Sequence, residues 1–280
     1  MASDTGVPQA WQWKSVLRAL NSFAPPSGAF DPEGRWEHAY NIYFLNVRGD
    51  GSKGKGKGKG KGAAAGSANA AMSGMPRPDG TLKIVSAPKG DGVELLVEAS
   101  ALMNDDMTTA RVQCKKDALC SPVSWDLRFT NALESGQKLV TFSKTGAVKG
   151  GVLIRDGKPV KEIKRLDACT CDWSLFDAVQ RLGRANAAAS TASTTSTPST
   201  APAATLSFNM LEYLDVVREN QTLRFRGKTA VTCSGKDIEA REYLQFGDGV
   251  LPTQYFLDSN HRLFMVLGSR RLFVLVNEKV

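Results

Sequence analysis

The last quarter of this chain, Thr222 to Asn277, constrains its fold more than any other stretch. Short runs rich in β-branched and aromatic residues are broken by turn residues. The breaks are Gly235, Gly247-Asp248-Gly249, Asp258-Ser259-Asn260 and Gly268-Ser269. This pattern reads as an antiparallel meander. In its first run Leu223 and Phe225 alternate with Arg224 and Arg226, which predicts one wet face. The last two runs, Arg262–Leu267 and Arg270–Val276, are nearly continuous apolar stretches, and such strands need cover on both faces.

Upstream, the middle of the chain is also strand-rich. Strands are expected over Thr81–Ala87, Gly92–Ala101, Thr108–Cys114, Val123–Thr130, Lys138–Ser143, Val148–Arg155 and Lys158–Leu166. Asp156-Gly157 is a tight-hairpin signal between the last two. Another strand is expected over Ala39–Val47. Three amphipathic helices are expected to cover the sheet. The first carries Trp13, Val16, Leu17, Leu20 and Phe23 and stops at Pro25-Pro26. The second has Asp172 as N-cap, Phe176, Val179 and Leu182 on its apolar face, and Gly183 at the C′ position. The third is capped by Asn209, with Glu212 three residues on, and carries Met210, Tyr213, Leu214 and Val217.

These elements predict an α+β, mostly β fold: a large curved antiparallel sheet, half-barrel-like, covered by a few short amphipathic helices. Low-complexity tracts at 49–78 (Gly-Lys, then Ala/Gly/Ser) and 185–204 (Ala/Ser/Thr/Pro) cannot bury enough apolar surface to offset their ordering entropy. They are expected as insertions in one composite domain spanning 1–280, since loop-closure entropy grows slowly with length. The alternative is a β-rich domain over 1–183 followed by a helix-plus-meander domain over 205–280.

The strand-rich middle, the helix, and a closing meander with Gly247-Asp248-Gly249-Val250-Leu251-Pro252-Thr253-Gln254-Tyr255-Phe256-Leu257-Asp258 and then Arg262-Leu263-Phe264 carry a resemblance. This pattern resembles bacterial exported proteins of unassigned function that are similar to the half-barrel fold of periplasmic lipoprotein carriers. The resemblance covers about the last 200 residues. It implies a non-catalytic binding or carrier protein at the bacterial cell envelope, holding an apolar or amphipathic ligand or partner. The chain departs from a secreted carrier in its polar start, Met-Ala-Ser-Asp-Thr-Gly, which lacks the basic and apolar regions of a leader. A removed leader would place the protein in the periplasm or outside the cell; otherwise it is cytoplasmic.

The net charge of +8 invites a nucleic-acid reading, but five of the lysines lie in one tract, Lys53 to Lys61, so the rest of the chain is nearly balanced. The tract suits a salt-sensitive contact with polyanions or acidic glycans, without the aromatics that would stack on bases. It also spells G-x-G-x-x-G from Gly49 to Gly54, but glycine at every second position prevents the helix that a dinucleotide site requires. No apolar run is long enough to span a membrane, and no cofactor is expected.

The alternative function is an enzyme, a lyase or hydrolase acting on an acidic polysaccharide. His261, with Tyr255 or Tyr243, would transfer protons, and Arg224, Arg226 and Arg241 would hold the substrate carboxylate. Against it, His261 reads as the end of an Asx turn, and the arginines as a charged ladder. His38 is expected at the surface. No metal site is expected. The nearest approach is Cys114, Cys120, Cys169 and Cys171, whose C-x5-C and C-x-C spacings do not match the usual C-x2-C knuckles. Buried inert thiols are the preferred reading.

Overall fold

The computed structural model describes residues 14–21, 23–26, 28–45, 77–101, 106–132, 138–160, 166–192 and 205–279. The 49–78 tract, apart from Arg77 and Pro78, the 193–204 part of the second tract and the start of the first helix lie outside the described residues. Among the described residues, fifteen strands form one large curved, unclosed sheet. The first half runs β1 (Trp36–Phe44), β2 (Gly80–Lys89), β3 (Gly92–Ala101), β4 (Asp106–Lys115), β5 (Pro122–Ala132), β6 (Lys138–Lys149), β7 (Val152–Arg155) and β8 (Lys158–Pro159). The second half runs β9 (Cys169–Cys171), β10 (Thr205–Glu212), β11 (Val216–Cys233), β12 (Lys236–Gly247), β13 (Val250–Leu257), β14 (Leu263–Leu267) and β15 (Arg271–Lys279). The two helices are α1 (Lys14–Leu20) and α2 (Ser174–Ala192).

The strand order is β8 back to β1, then β15 back to β9. Each half is a simple meander, and the two are zipped together where β1 pairs antiparallel with β15. Every neighbouring pair is antiparallel except β9 with β10, which α2 joins as a parallel crossover unit.

The turns follow their residues. Asp156-Gly157 and Ser234-Gly235 both take positive φ at both positions, as tight hairpins with the right twist require. So do Gly150-Gly151, which split the expected Val148–Arg155 strand into the end of β6 and β7. Gly146 is needed for a different reason. A Cβ there would lie 2.2 Å from the indole of Trp125, its cross-strand partner on β5.

The second helix differs from expectation. It runs through Gly183 to Ala192, and Ser174 to Gly183 are all buried. It is therefore a core element enclosed by the sheet rather than a one-sided cover. The Phe176 ring meets Tyr40 of β1, Tyr255 of β13 and Phe273 of β15 edge-on, at 5.3, 6.5 and 5.9 Å. Gly183 is not a C′ residue. A Cβ there would lie 2.4 Å from Leu257, so the glycine lets helix and sheet approach closely.

The expected third helix is instead β10 and the turn after it. Phe208, Met210 and Leu211 are buried, and the strand is paired on both sides, with β9 and β11. Tyr213 and Leu214 take left-handed φ of 51° and 55°, which ends the strand in a turn. The apolar spacing fits a helix, but two free ladders were available to a strand, and tertiary pairing overrides local periodicity. The expected Lys158–Leu166 strand is represented by β8, with 161–165 outside the described residues.

Side chains rather than a ladder bring the two ends of the sheet together. Asp215, in the β10–β11 turn, pairs with Lys144 of β6 at 2.7 Å and Arg155 of β7 at 3.3 Å. Thr170 of β9 donates to the Leu119 carbonyl in the β4–β5 turn at 2.8 Å. Among the described residues no helix is long and apolar enough to cross a membrane.

Candidate functional site

The half-exposed polar groups gather where α2 leaves the sheet. The β13–β14 turn begins at Asp258, whose Oδ1 accepts from the amides of Asn260 at 2.8 Å and Arg262 at 2.9 Å. This is the Asx turn that the residues suggest. It forces His261 to φ +68°, a left-handed position that His tolerates better than most residues. Asp258 does not orient the imidazole. Its carboxylate serves the turn amides and Arg262, and the buried His261 Nδ1 has no hydrogen-bond partner. Burial lowers the His261 pKa, and the nearby Arg241 and Arg184 guanidiniums lower it further against Asp258.

Arg241 lies opposite Leu257 across the β12–β13 ladder, which brings it to the start of the same turn. It also acts on Tyr243, two residues along β12. Burial raises the Tyr243 pKa, opposed by a hydrogen bond from Asn186 Nδ2 at 3.2 Å and by Arg241. Three of the expected site residues, His261, Arg241 and Tyr243, thus surround the emerging end of α2.

The others lie elsewhere. Tyr255 is buried beside Phe176, and its hydroxyl donates to Gln245 Oε1 at 2.8 Å. Arg224 and Arg226 are on the exposed face of β11, Arg224 over the Phe246 ring at 5.5 Å. Nearby, Lys228 and Glu239 pair diagonally across the β11–β12 ladder at 2.9 Å.

A second cluster was invisible in the sequence. His38 is not at the surface; it is fully buried. It stands on the inner face of β1 with Trp36 and Tyr40, an alternation that could have revealed it. Its Nδ1 meets the Tyr40 hydroxyl at 3.1 Å, and that hydroxyl donates to the Leu263 carbonyl at 3.0 Å. Its Nε2 faces Glu278 at 3.5 Å. Burial lowers the His38 pKa, and Glu278 opposes that shift. Arg262, itself buried, donates from Nε to Glu278 at 2.8 Å, from Nη2 to the Gly28 carbonyl at 2.6 Å and from Nη1 to Asp258 at 3.3 Å. These groups lie buried against one another inside the wall, with His38 Nε2 facing Glu278 but too far for a normal hydrogen bond.

A third network ties α2 to its surroundings. Asp177 accepts from Ser86 of β2 at 2.8 Å and pairs with Arg181, which reaches Glu33 at 2.6 Å. Arg184 pairs with Asp31.

All five cysteines are free and buried. Cys114 hydrogen-bonds Cys120, which raises the Cys120 pKa well above the ordinary thiol value. Burial raises Cys169 to about 12, and Cys171 higher still, with Cys114 adding to both. The four thiols are neighbours, yet among the described residues no group of three metal-ligating side chains is arranged to hold an ion.

Asp172 does not cap α2. Its Oδ2 accepts from the Tyr213 amide at 2.8 Å, fastening the β10–β11 turn. Burial raises its pKa from 3.8 to about 7. A folded-state pKa above the unfolded value makes a carboxylate favour folding in acid and oppose it once ionised. Stability contributed by Asp172 therefore falls as pH rises from about 4 to about 7. Asp172→Asn should melt higher than the parent at pH 8, and the gap should close by about pH 4. A gap independent of pH would show that the carboxyl does not titrate in this window.

No family model matches the chain, and no curated protein does. Among solved structures, it is similar to a DUF1089 family protein from Pseudomonas aeruginosa. The sequence identity is 12% and the TM-score 0.36, over 65% of this chain and 87% of that one.

Proposed function

We propose that this is a non-catalytic binding protein that grips an amphipathic ligand where α2 emerges from the curved sheet. The observation that carries this is the contrast between two kinds of polar group. Inside the wall Arg262 pairs with Asp258 and Glu278, whereas partly exposed Arg241 beside the helix exit pairs with no carboxylate among the described residues, and the adjoining His261 Nδ1 has no hydrogen-bond partner. The inner face, where a carrier would hold an apolar molecule, is occupied by α2 along Ser174–Gly183. The reading therefore places the ligand at the end of the helix and not along it.

Amphiphiles below their micelle concentration test it. A ligand that binds the folded state alone raises stability by about 2.7 kcal/mol at 100 times its Kd. An upward shift of the melting temperature that saturates is expected. No shift with charged or uncharged amphiphiles sinks the reading.

The second proposal is a lyase or hydrolase, favoured by one fact: Arg241 acts on both His261 and Tyr243. Release of new sugar ends from an acidic polysaccharide, lost in His261→Ala, is its expected result. Intact polymer after prolonged incubation removes it.

We also propose that the chain folds as one composite domain, supported by the β1–β15 ladder and the Asp215 ion pairs. A single cooperative melt is expected. Separate transitions for 1–183 and 205–280 would favour two domains.

A further inference from the structure

We propose that the site at the emerging end of α2 takes an anion, a carboxylate or phosphate group held by Arg241 with His261 as a second donor. This rests on the binding-protein reading and names the chemistry of the ligand's head.

The local carboxylates are already spent. Asp258 holds its own turn amides and Arg262. Asp31 holds Arg184, and Glu239 holds Lys228. Glu242, next to Arg241 on β12, accepts from Gln254 at 2.9 Å. Among the described residues no carboxylate pairs with Arg241, so a half-exposed guanidinium is left with its donor fork free. That fork matches two oxygens of a carboxylate or phosphate.

His261 supplies the second half of the site. Its Nδ1 is buried without a partner, and the Asx turn holds its backbone in place. A buried polar atom without a hydrogen bond is costly, and a ligand oxygen would satisfy it. A neutral imidazole donates through one nitrogen, and a bound anion favours the doubly protonated ring. Gly183 lies beside the ring, where a Cβ would come into van der Waals contact with Nδ1 at 3.5 Å, so the glycine leaves room next to that atom.

The charges facing His261 are Arg241 from β12, Arg184 from α2 and Asp258 from its own turn, with the Lys228–Glu239 pair farther along β11 and β12. Burial, Arg241 and Arg184 lower the His261 pKa against Asp258, and an anion between Arg241 and His261 would oppose that lowering.

The chain has two histidines, so the ring resonances of His261 and His38 report the site and an internal control. The protein is titrated with inorganic phosphate, glucuronate, decanoate and uncharged decan-1-ol. At least one anion is expected to shift the His261 resonances and raise its pKa by about one unit, leaving His38 still. Arg241→Gln should weaken that anion about tenfold or more, and Arg241→Lys less, because lysine keeps the charge and loses the fork. Arg224→Ala, on the exposed face of β11, should change nothing.

Tightest binding of decanoate identifies a lipid-like acid, of glucuronate a sugar acid, and of phosphate a phosphoryl head. If no anion moves His261, or if Arg224→Ala weakens binding as much as Arg241→Gln, the anion site is overturned. Decan-1-ol binding as tightly as decanoate, untouched by Arg241→Gln, would overturn the anion and leave the amphiphile reading standing. Absence of binding by every probe would overturn both.

Discussion

A chain ending at Gly268 is expected to lose its cooperative melt altogether. The deletion removes β15, which is the seam of the sheet and not its fringe. β15 pairs with β1 on one side and β14 on the other, so the two meanders lose their common strand. Leu272, Val274 and Leu275 are buried, and burial of such side chains contributes roughly 1.5–3 kcal/mol each. A domain holds only about 5–15 kcal/mol in reserve. The deletion also takes Glu278, the partner of His38 and Arg262. Leu275→Ala, a graded version, should cost about 2–5 kcal/mol. Phe273 is only partly buried and should cost less than a fully enclosed ring, while Val276, half-exposed, marks where the apolar run reaches solvent. A truncated chain with an unchanged urea midpoint would show that the halves stand without the seam.

Arg262→Ala should cost about 3–5 kcal/mol, the range for removing one partner of a buried ion pair. Glu278 and Asp258 would lose their cation, and the carbonyls of Pro26 and Gly28 would lose their donor. Burial alone would raise the Glu278 pKa; His38 and Arg262 outweigh it and hold the carboxyl low. The depressed pKa makes the parent lose stability as pH falls through the Glu278 range; without Arg262 that carboxyl should titrate higher and this acid sensitivity should shrink. Arg262→Lys keeps the charge but cannot span four acceptors, and should fall between the two. A loss under about 1 kcal/mol, at constant denaturant slope, would mean that the network contributes nothing net.

The strands were legible because their signals are local. Gly92–Ala101 coincides with its expected bounds, and every expected turn of the meander is present. Turn residues act within four positions, so neighbouring residues carry the information. What failed depended on distant partners. Met210, Tyr213, Leu214 and Val217 have helical spacing, yet ladders supplied by β9 and β11 made a strand. The Ala-rich start of the 185–204 tract looked featureless, but alanine is the best helix former and only extends a helix already nucleated inside the core. His38 looked stray because Glu278 and Arg262 are more than two hundred positions away. Of the candidate site, His261, Arg241 and Tyr243 were individually visible; that α2 would gather them was not.

The pairing of first strand with last has a consequence for synthesis. Tyr40 waits for the Leu263 carbonyl, 223 positions downstream, and for the ladder beyond it. During synthesis β1 emerges well before β15, and one of its edges stays unpaired until β15 is available. An exposed edge of that kind recruits other chains. A contact of that sequence separation is expected to close late and to slow the folding of the whole sheet. The nascent protein is expected to be most vulnerable to aggregation in the interval before β15 pairs with β1.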